Sequence, residues 1–388
     1  ERKPDWLPGF PVQIYCNREA MSLKTLKVGL IGLGAISERH FAAFSACSQV
    51  RITALCTRSE TNLAKRCAAW NIDAGYTDYR KMIEEADIDA VVVSLPPVLH
   101  KEVCMLAMQA KKHVFCEKPP AMTAEEAYEM MQCAKENGVL LMYGFMFRFS
   151  KKHNVGRDII ESGMLGDILL IREETVRRNA CAEGWFKQKS LAGGGPMVDI
   201  GSHCLDLARY MMGNNVYPVQ AYARTFAPCE NLQNLKDYKH GWPTHISDAA
   251  PKCVYDVEEM AAAMIRYSNG AELLLLLSNA SHIQKDKKVI EFIGTKGGLS
   301  VDPELEVHTV VDQRLYNMQP IVDCAAFDYQ GSINAECTHF VDCILNGTPC
   351  RADAHDGWVL MKLIDALYAS AESGQAVAIT YEAEREQQ

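Results

Sequence analysis

The sequence lacks a long apolar run, an excess of basic residues and a closely spaced pair of cysteines. Its longest strongly apolar run, Leu273 to Leu277, is far shorter than the roughly 18 residues that a membrane-spanning helix needs. The 40 basic and 49 acidic residues give a formal charge of −9, which disfavours nucleic acid or an anionic membrane as partner. We therefore expect neither a nucleic-acid nor a membrane partner.

Cysteine is abundant, but its spacing is not that of a metal site. The chain holds 15 cysteines and no Cys-x-x-Cys pair. Cys337 and Cys343 are six residues apart, and most of the others stand singly inside apolar segments, where a free thiol behaves as a small hydrophobe. The pattern favours structural, reduced thiols, predicts no metal site and is typical of a cytoplasmic protein.

The length of the chain and a change in its pattern of predicted strands and helices indicate two domains. A chain of 388 residues is too long for one hydrophobic core. Residues 1–20 hold three prolines and no helical or strand period, so we interpret them as a terminal tail or an appended extension. Across residues 21–143, apolar strands alternate with amphipathic helices, which predicts an α/β domain with a doubly wound parallel sheet. Residues 144–388 predict an α+β domain with a large, mostly antiparallel open sheet.

Several elements can be placed on the sequence. The predicted strands of the first domain are Lys27–Ile31, Val50–Cys56, Ala90–Ser94, His113–Cys116 and Leu140–Tyr143. In the second domain, Glu258–Tyr267 and Ala271–Ser278 predict a hairpin, and Asn269-Gly270 between them suits a type I′ turn. A single helix is predicted over residues 196–212. An irregular insertion, residues 231–254, is rich in polar and aromatic residues, and such loops often carry function.

A glycine-rich turn follows the first predicted strand directly. Gly32 permits a tight turn, and Gly34 lets the backbone approach a phosphate. The helix that opens near Ala35 and Ile36 directs unpaired N–H groups and its positive dipole end at the same place. Ser37 occupies the position of the third glycine in this fingerprint. The turn predicts a pyrophosphate site, although such turns alone occur in many folds.

Two further motifs stand at fixed places after this turn. Cys116-Glu117-Lys118-Pro119 stands at the end of the predicted strand His113–Cys116, and a triple glycine opens the run from Gly193 to Asp206. With the turn at Gly32, their order resembles the glucose–fructose oxidoreductase / inositol dehydrogenase / rhizopine-catabolism (Gfo/Idh/MocA) family of NAD(P)-dependent oxidoreductases. The resemblance extends through nearly the whole chain from Lys27.

The resemblance implies a Rossmann domain joined to a substrate domain whose open sheet often forms an oligomer interface. It implies hydride transfer between nicotinamide and a secondary alcohol or ketone of a sugar, cyclitol or related polyol. The family's catalytic residues match Lys118, Asp199 and His203. We also expect a homodimer or homotetramer, since the leucine run of the hairpin would leave apolar surface on a monomer.

The same three residues can be argued from chemistry. Ligands of open α/β sheets bind outside the carboxyl ends of the strands, where Lys118 lies. Asp199 and His203 are four residues apart, so a helix would present both on one face. We expect Lys118 to polarise the substrate oxygen, His203 to accept or relay the proton and Asp199 to orient them. A solvated lysine and a surface Asp/His pair are the competing interpretations.

Further binding residues follow from position along the chain. The expected cofactor contacts are Gly32, Gly34, Ala35, Ile36, Thr57, Arg58, Ser59, Ser94, Pro96, His100, Glu117 and Lys118. The expected substrate contacts are Lys118, Arg148, Trp185, Asp199 and His203. The second strand ends in Thr57-Arg58-Ser59 without the acid typical of an NAD site, which favours NADP over NAD. An arginine that merely faces solvent is the alternative.

Two other functions are compatible with these motifs. One is a cofactor-binding regulator or sensor without turnover, which the presence of Lys118, Asp199 and His203 disfavours. The other is a glycoside-processing enzyme that uses bound NAD for transient oxidation, with no net redox change.

Overall fold

The computed structural model of the chain describes residues 25–179, 184–227, 255–322 and 327–381. The expected tail at residues 1–20 and the insertion at residues 231–254 lie outside the described residues. In the part that is described, none of the helices has the length and apolar character needed to cross a bilayer.

A parallel sheet forms the centre of the N-terminal domain. Its strands are β1 (Leu26–Ile31), β2 (Val50–Cys56), β3 (Gly75–Tyr76), β4 (Ala90–Val93), β5 (His113–Cys116) and β6 (Leu141–Tyr143). They lie in the order β3-β2-β1-β4-β5-β6, all parallel. The order reverses between β1 and β4, and this is where ligands bind in such sheets. The predicted doubly wound sheet is confirmed; only the two-residue β3, too short to show a period, was not predicted.

Helices cover both faces of this sheet. They are α1 (Ala35–Ser45), α2 (Glu60–Trp70), α3 (Tyr79–Glu85), α4 (His100–Gln109) and α5 (Ala124–Asn137). Local chemistry sets the limits of α5: the Thr123 hydroxyl accepts a hydrogen bond from the Glu126 N–H at 3.2 Å. At the other end, Gly138 takes a positive φ of 65° and terminates the helix.

The second domain is built on a larger, mostly antiparallel sheet. Its strands in the described residues are β7 (Ile168–Val176), β8 (Pro218–Phe226), β9 (Met260–Tyr267), β10 (Glu272–Ser278), β11 (Lys287–Gly294), β12 (Gly297–Asp302), β13 (Glu306–Val311), β14 (Arg314–Met318) and β15 (Val377–Ala378). They lie in the order β14-β13-β12-β11-β7-β10-β9-β8-β15. Among the described strands of this sheet, only β7 and β10 pair in parallel, so the predicted mostly antiparallel sheet is confirmed.

The hairpin between β9 and β10 does not have the predicted type I′ turn. Such a turn needs positive φ at both central residues, and of Asn269 and Gly270 only Gly270 has it, at 88°. Tyr267 donates its N–H to the Ala271 carbonyl at 2.9 Å, which leaves a three-residue loop. Gly270 therefore acts as the left-handed residue of a bulged hairpin.

The helices of the second domain cover one face of this sheet and return to the first domain. They are α6 (Lys151–Glu161), α7 (Lys189–Ala192), α8 (Pro196–Asp199), α9 (Gly201–Met212), α10 (Tyr329–Asn346) and α11 (Ala354–Ser373). Phe340 of α10 packs edge-on against Phe44 of α1 and Phe115 of β5, with ring centroids 6.2 and 5.7 Å apart. This contact joins the late helices to the parallel sheet.

Candidate active site

The glycine turn after β1 has the shape that a phosphate group requires. Gly32 has a φ of 92°, and a Cβ at this position would collide with the carbonyl oxygen of Ser94. At Gly34, by contrast, a Cβ would meet no atom within 4 Å. Gly34 is exposed and precedes α1 in an extended conformation without any side-chain cap. The N–H groups of the first turn therefore face open space.

These features fit the pyrophosphate of a dinucleotide. The backbone of Gly34, Ala35 and Ile36 would hold it, because uncapped N–H groups at a helix start bind anions. Ser37 can stand in for the third glycine because its buried hydroxyl donates to the Gly34 carbonyl at 2.6 Å. It takes no space from the ligand.

The end of β2 offers an exposed arginine. The backbone N–H of Thr57 donates to the Tyr76 carbonyl at 3.1 Å and fixes the position of this residue. Ser59 caps α2 by accepting the Asn62 N–H at 3.2 Å. Arg58, between them, is exposed and makes no hydrogen bond or ion pair with the described residues. Its guanidinium is thus available to a ligand.

The loop after β4 brings Ser94 next to the glycine turn, and the contact of Pro96 with a cofactor stays a prediction. The placement of His100, in contrast, corrects our expectation. Ser94 donates its N–H to the Ile31 carbonyl at 2.8 Å. His100 is fully buried, and its nitrogens lie 2.9 and 2.8 Å from the carbonyls of Pro119 and Leu95. Burial lowers its pKa. His100 therefore ties two loops together and has no surface with which to contact a cofactor.

Lys118 and Asp199 come together from different domains. Lys118 follows β5, and its Nζ donates to Asp199 Oδ1 at 2.7 Å and to the Asp199 carbonyl at 2.9 Å. Their side chains are 16% and 24% exposed, so the pair faces the cleft. A half-buried ammonium and carboxylate at the carboxyl end of a dinucleotide sheet can polarise a substrate oxygen.

This contact also explains a break in the helix that carries Asp199 and His203. The predicted helix over residues 196–212 is divided into α8 and α9 at Ile200. The Asp199 carbonyl accepts from Lys118 and from the Ser202 hydroxyl, at 3.1 Å. The His203 N–H donates instead to the Ile200 carbonyl at 3.0 Å. The expected single helical face is therefore wrong in detail, although both residues remain beside Lys118.

His203 lies in a positively charged, mostly buried setting. Its Nδ1 is buried and has no hydrogen-bond partner, and its ring lies 5.0 Å from that of Phe147. Burial holds its pKa well below the ordinary value, and the charges of Lys118, Arg177 and Lys288 lower it further. The imidazole is therefore neutral near pH 7 and can accept a proton.

Glu117 forms an ion pair that the sequence did not indicate. Its Oε1 lies 2.7 Å from Nε2 of the fully buried His40 in α1. Its Oε2 accepts the Lys118 N–H at 3.1 Å. Burial alone would raise the pKa of Glu117, but the hydrogen bond and charge of His40 and the charge of Lys118 hold it below its ordinary value. The pair fixes the backbone from which Lys118 projects.

Arg148 does not line the substrate cleft, which corrects the expectation for this residue. It is fully buried, donates to both oxygens of Asp206 and reaches Asp356 Oδ2 at 2.6 Å. It also donates to the Arg351 carbonyl. Its guanidinium is therefore engaged within the protein, and Arg148 links the start of the second domain to α9 and α11.

Trp185 lies in a short 3₁₀ turn, Gly184–Lys187, and stacks on Phe186 with ring centroids 3.8 Å apart. It is half-buried, and its contact with substrate stays a prediction. Arg177 and Lys288 are close enough to lower the pKa of His203, and Lys288 was not among the expected site residues. Arg177 directly follows β7, and Lys288 lies in the adjacent strand β11, a pairing that the sequence alone does not reveal.

Comparison with known proteins agrees with this geometry. Residues 26–145 match the model of an oxidoreductase family with an NAD-binding Rossmann fold, and residues 155–300 match the GFO/IDH/MocA C-terminal domain. The chain is 29% identical to D-glucoside 3-dehydrogenase of Escherichia coli K12, over 93% of this chain and all of the relative. It is 30% identical to levoglucosan dehydrogenase of Pseudarthrobacter phenanthrenivorans, over 75% and 78% of the two chains.

Solved structures share the whole architecture. Levoglucosan dehydrogenase in complex with NADH superimposes with a TM-score of 0.79 at 25% identity, over 92% of this chain and 99% of the other. An oxidoreductase domain protein from Kribbella flavida has a TM-score of 0.79 at 22% identity, over 92% and 100%. Together with the matches to both family domains, these results show that the chain belongs to the Gfo/Idh/MocA family of oxidoreductases.

Proposed function

We propose that this chain is an NAD(P)-dependent dehydrogenase that acts on a secondary alcohol of a sugar, cyclitol or related polyol. The observation that carries the proposal is the Lys118–Asp199 pair beside a neutral His203, at the carboxyl edge of the dinucleotide sheet. Relatives support the substrate class, since they include a D-glucoside 3-dehydrogenase and a myo-inositol 2-dehydrogenase of Thermotoga maritima.

Each of the three side chains has a distinct task. When bound, the nicotinamide supplies the acceptor or donor of a hydride. His203 takes the proton of the substrate hydroxyl, because its lowered pKa keeps the imidazole neutral, with a nitrogen lone pair that can accept a proton. Lys118 stabilises the developing negative charge on the same oxygen. Asp199 positions the Lys118 ammonium through the bond at 2.7 Å.

Replacement of the lysine tests this assignment. Lys118→Ala should lower kcat by about 100- to 1,000-fold, because it removes the charge that stabilises the oxyanion. Calorimetry should show NAD(P) binding within a few-fold of the original chain, since the glycine turn is untouched. Lys101→Ala is a matched control, because Lys101 pairs with Glu129 on the surface of the first domain. Full turnover in Lys118→Ala would end the proposal.

A panel of sugars, cyclitols and related polyols, assayed for both cofactor reduction and product formation, separates the other two candidate functions. Net reduction of the cofactor with matching product supports the dehydrogenase. Product formation without net cofactor reduction would favour a glycoside-processing enzyme with transient oxidation. Cofactor binding without any product would favour the regulator or sensor.

We propose a preference for NADP over NAD. No acidic side chain stands at the end of β2, and the exposed Arg58 suits a 2′-phosphate better than a ribose diol. Titration of the chain with NADPH and NADH by calorimetry should show tighter binding of NADPH. A tenfold preference for NADH would contradict this choice.

We propose that the protein is cytoplasmic and forms a homodimer or homotetramer. The free cysteines of the described residues support a reducing compartment. Exposed apolar side chains on adjacent strands of the large sheet, Tyr222, Met264 and Leu274, support association through this face.

A further inference from the structure

A second cluster of reactive side chains lies at the end of α10. His339 and Cys343 are one helical turn apart, so their side chains project from the same face. Gly347 ends the helix in a left-handed conformation, and the following loop brings Cys350 back to them. One ligand atom from each of these three residues lies within 4.8 Å of the other two. We call them the His–Cys–Cys cluster.

The donor atoms of the cluster suit a metal ion. The backbone N–H of Arg351 donates to His339 Nε2 at 3.0 Å, so this nitrogen carries a lone pair. Two cysteine sulfurs and an imidazole nitrogen therefore meet at one place, and these are the donor types that zinc prefers.

The spacing also suits a metal ion. Cys343 Sγ lies 3.3 Å from His339 Nε2. Zinc–sulfur bonds of about 2.3 Å and zinc–nitrogen bonds of about 2.0–2.1 Å, at a tetrahedral angle, place the two ligands about 3.5 Å apart. Little movement is needed in α10, although Nε2 would exchange its bond with Arg351 for the metal. Cys343 is 8% exposed, and the other two members are half-buried, so an ion can enter.

We propose that His339, Cys343 and Cys350 form a binding site for a soft or borderline cation such as Zn²⁺, with water as the fourth ligand. Thiolate and imidazole select such ions over Mg²⁺ or Ca²⁺. A second group, Asp353, His355 and Asp356, also clusters, but Asp356 is bonded to Arg148 and Arg209. That group is a structural network.

The site would connect α10 to the loop before α11, and the Ala352 carbonyl of this loop accepts the Tyr143 N–H of β6, in the first domain, at 2.9 Å. Within the second domain, the Arg351 carbonyl accepts from Arg148, and Asp353 caps α11 through the Asp356 N–H at 3.0 Å. An ion that fixes Cys350 therefore fixes the neighbouring contacts of the loop. The site holds none of the proposed catalytic side chains, so it stabilises the fold rather than taking part in turnover.

Zinc binding by the full, reduced, metal-free chain tests this proposal. Titration with zinc chloride against a chromophoric chelator should give one equivalent per chain, and Mg²⁺ should not compete. Cys350→Ser and His339→Gln should each weaken binding by roughly 100-fold or more. Cys47→Ser, which removes a half-buried free thiol elsewhere, should bind as the original chain does. Cobalt should give a thiolate charge-transfer band that disappears in Cys350→Ser.

A thermal readout separates folding defects from loss of ligands. Zinc should raise the unfolding midpoint of the original chain and of Cys47→Ser, but not that of Cys350→Ser. Absence of stoichiometric zinc binding, or equal binding by Cys350→Ser, would overturn the proposal. A Cys343–Cys350 disulfide as the only reaction of the cluster, without metal affinity after reduction, would overturn it as well.

Discussion

His203 shows how charge and burial together set the protonation of one side chain. Burial removes the water that would stabilise an imidazolium. The positive charges of Lys118, Arg177 and Lys288 also repel a positive charge on the His203 ring. Both effects act in the same direction, so the pKa falls well below 6.5. Since the folded protein keeps the ring neutral, a base is present under conditions in which a free histidine would be largely protonated.

This electrostatic setting predicts a specific pH profile. If His203 accepts the substrate proton, kcat/KM for alcohol oxidation should stay high as the pH falls below 6.5, and it should decline only near the lowered pKa. His203→Asn should lose most of its activity and the acidic limb that belongs to this group. His308→Gln, on the outer strand β13, should keep the original profile. An acidic limb centred at 6.5 would contradict the assignment.

At the residue scale, the sequence predicted which side chains carry the site's reactive groups better than it predicted which side chains are buried. Lys118, Asp199 and His203 stand in motifs, and the structure brings all three to one cleft. Arg148 and His100 belong to the same resemblance, but both are completely buried. An arginine that recognises substrate and one that holds two carboxylates look alike in sequence. The difference depends on Asp206 and Asp356, which are 58 and 208 residues away from Arg148.

At the element scale, the network around Arg148 joins three helical segments. Arg148 lies in the 3₁₀ turn Met146–Phe149 that follows β6. Asp206 lies in α9, and Asp356 lies in the first turn of α11, where Arg209 also contacts it. Two arginines therefore neutralise two buried carboxylates. Loss of one cation would leave a buried negative charge without compensation.

The network predicts a large loss of stability from one substitution. Arg148→Met keeps much of the volume but should lower the free energy of unfolding by about 3–5 kcal/mol, because a buried ion pair loses one partner. Urea denaturation followed by circular dichroism measures this change. Arg172→Met, on the exposed face of β7, breaks surface pairs with Glu174 and Glu291 and should cost less than about 1 kcal/mol. Equal losses in both variants would contradict the argument.

Most element positions could be predicted, and each miss has a physical cause. Thr123 and Gly138 place α5 because capping depends on neighbouring residues. The break between α8 and α9 could not be predicted from its own sequence, since the cation that takes the Asp199 carbonyl comes from residue 118. The turn at Asn269-Gly270 differs from expectation because the hairpin loop has three residues. The Asn-Gly dipeptide alone does not determine the length of the loop.

At the scale of the whole molecule, the large sheet has two unlike faces. One face is covered by helices, among them α9 and α11, and includes the buried Ala223, Ile265 and Leu273. On the other face, Tyr222 pairs in register with Met264, and Met264 with Leu274, across three strands. The alternation of residues along these strands predicts two faces. The alternation does not show what covers the outer face. We propose a second copy of the chain there because Tyr222, Met264 and Leu274 leave apolar surface exposed.

A charge placed in the outer face tests that association. Leu274 is 41% exposed in one chain, so Leu274→Glu should leave the fold of the protomer intact. In a dimer or tetramer that buries this face, the new carboxylates would be desolvated without partners, and the assembly should dissociate. Light scattering coupled to size exclusion would show the change in mass. Ile321→Glu, at a fully exposed residue outside the strands, should keep the original mass. An original chain that is monomeric, or an unchanged mass for Leu274→Glu, would show that this face is not the interface.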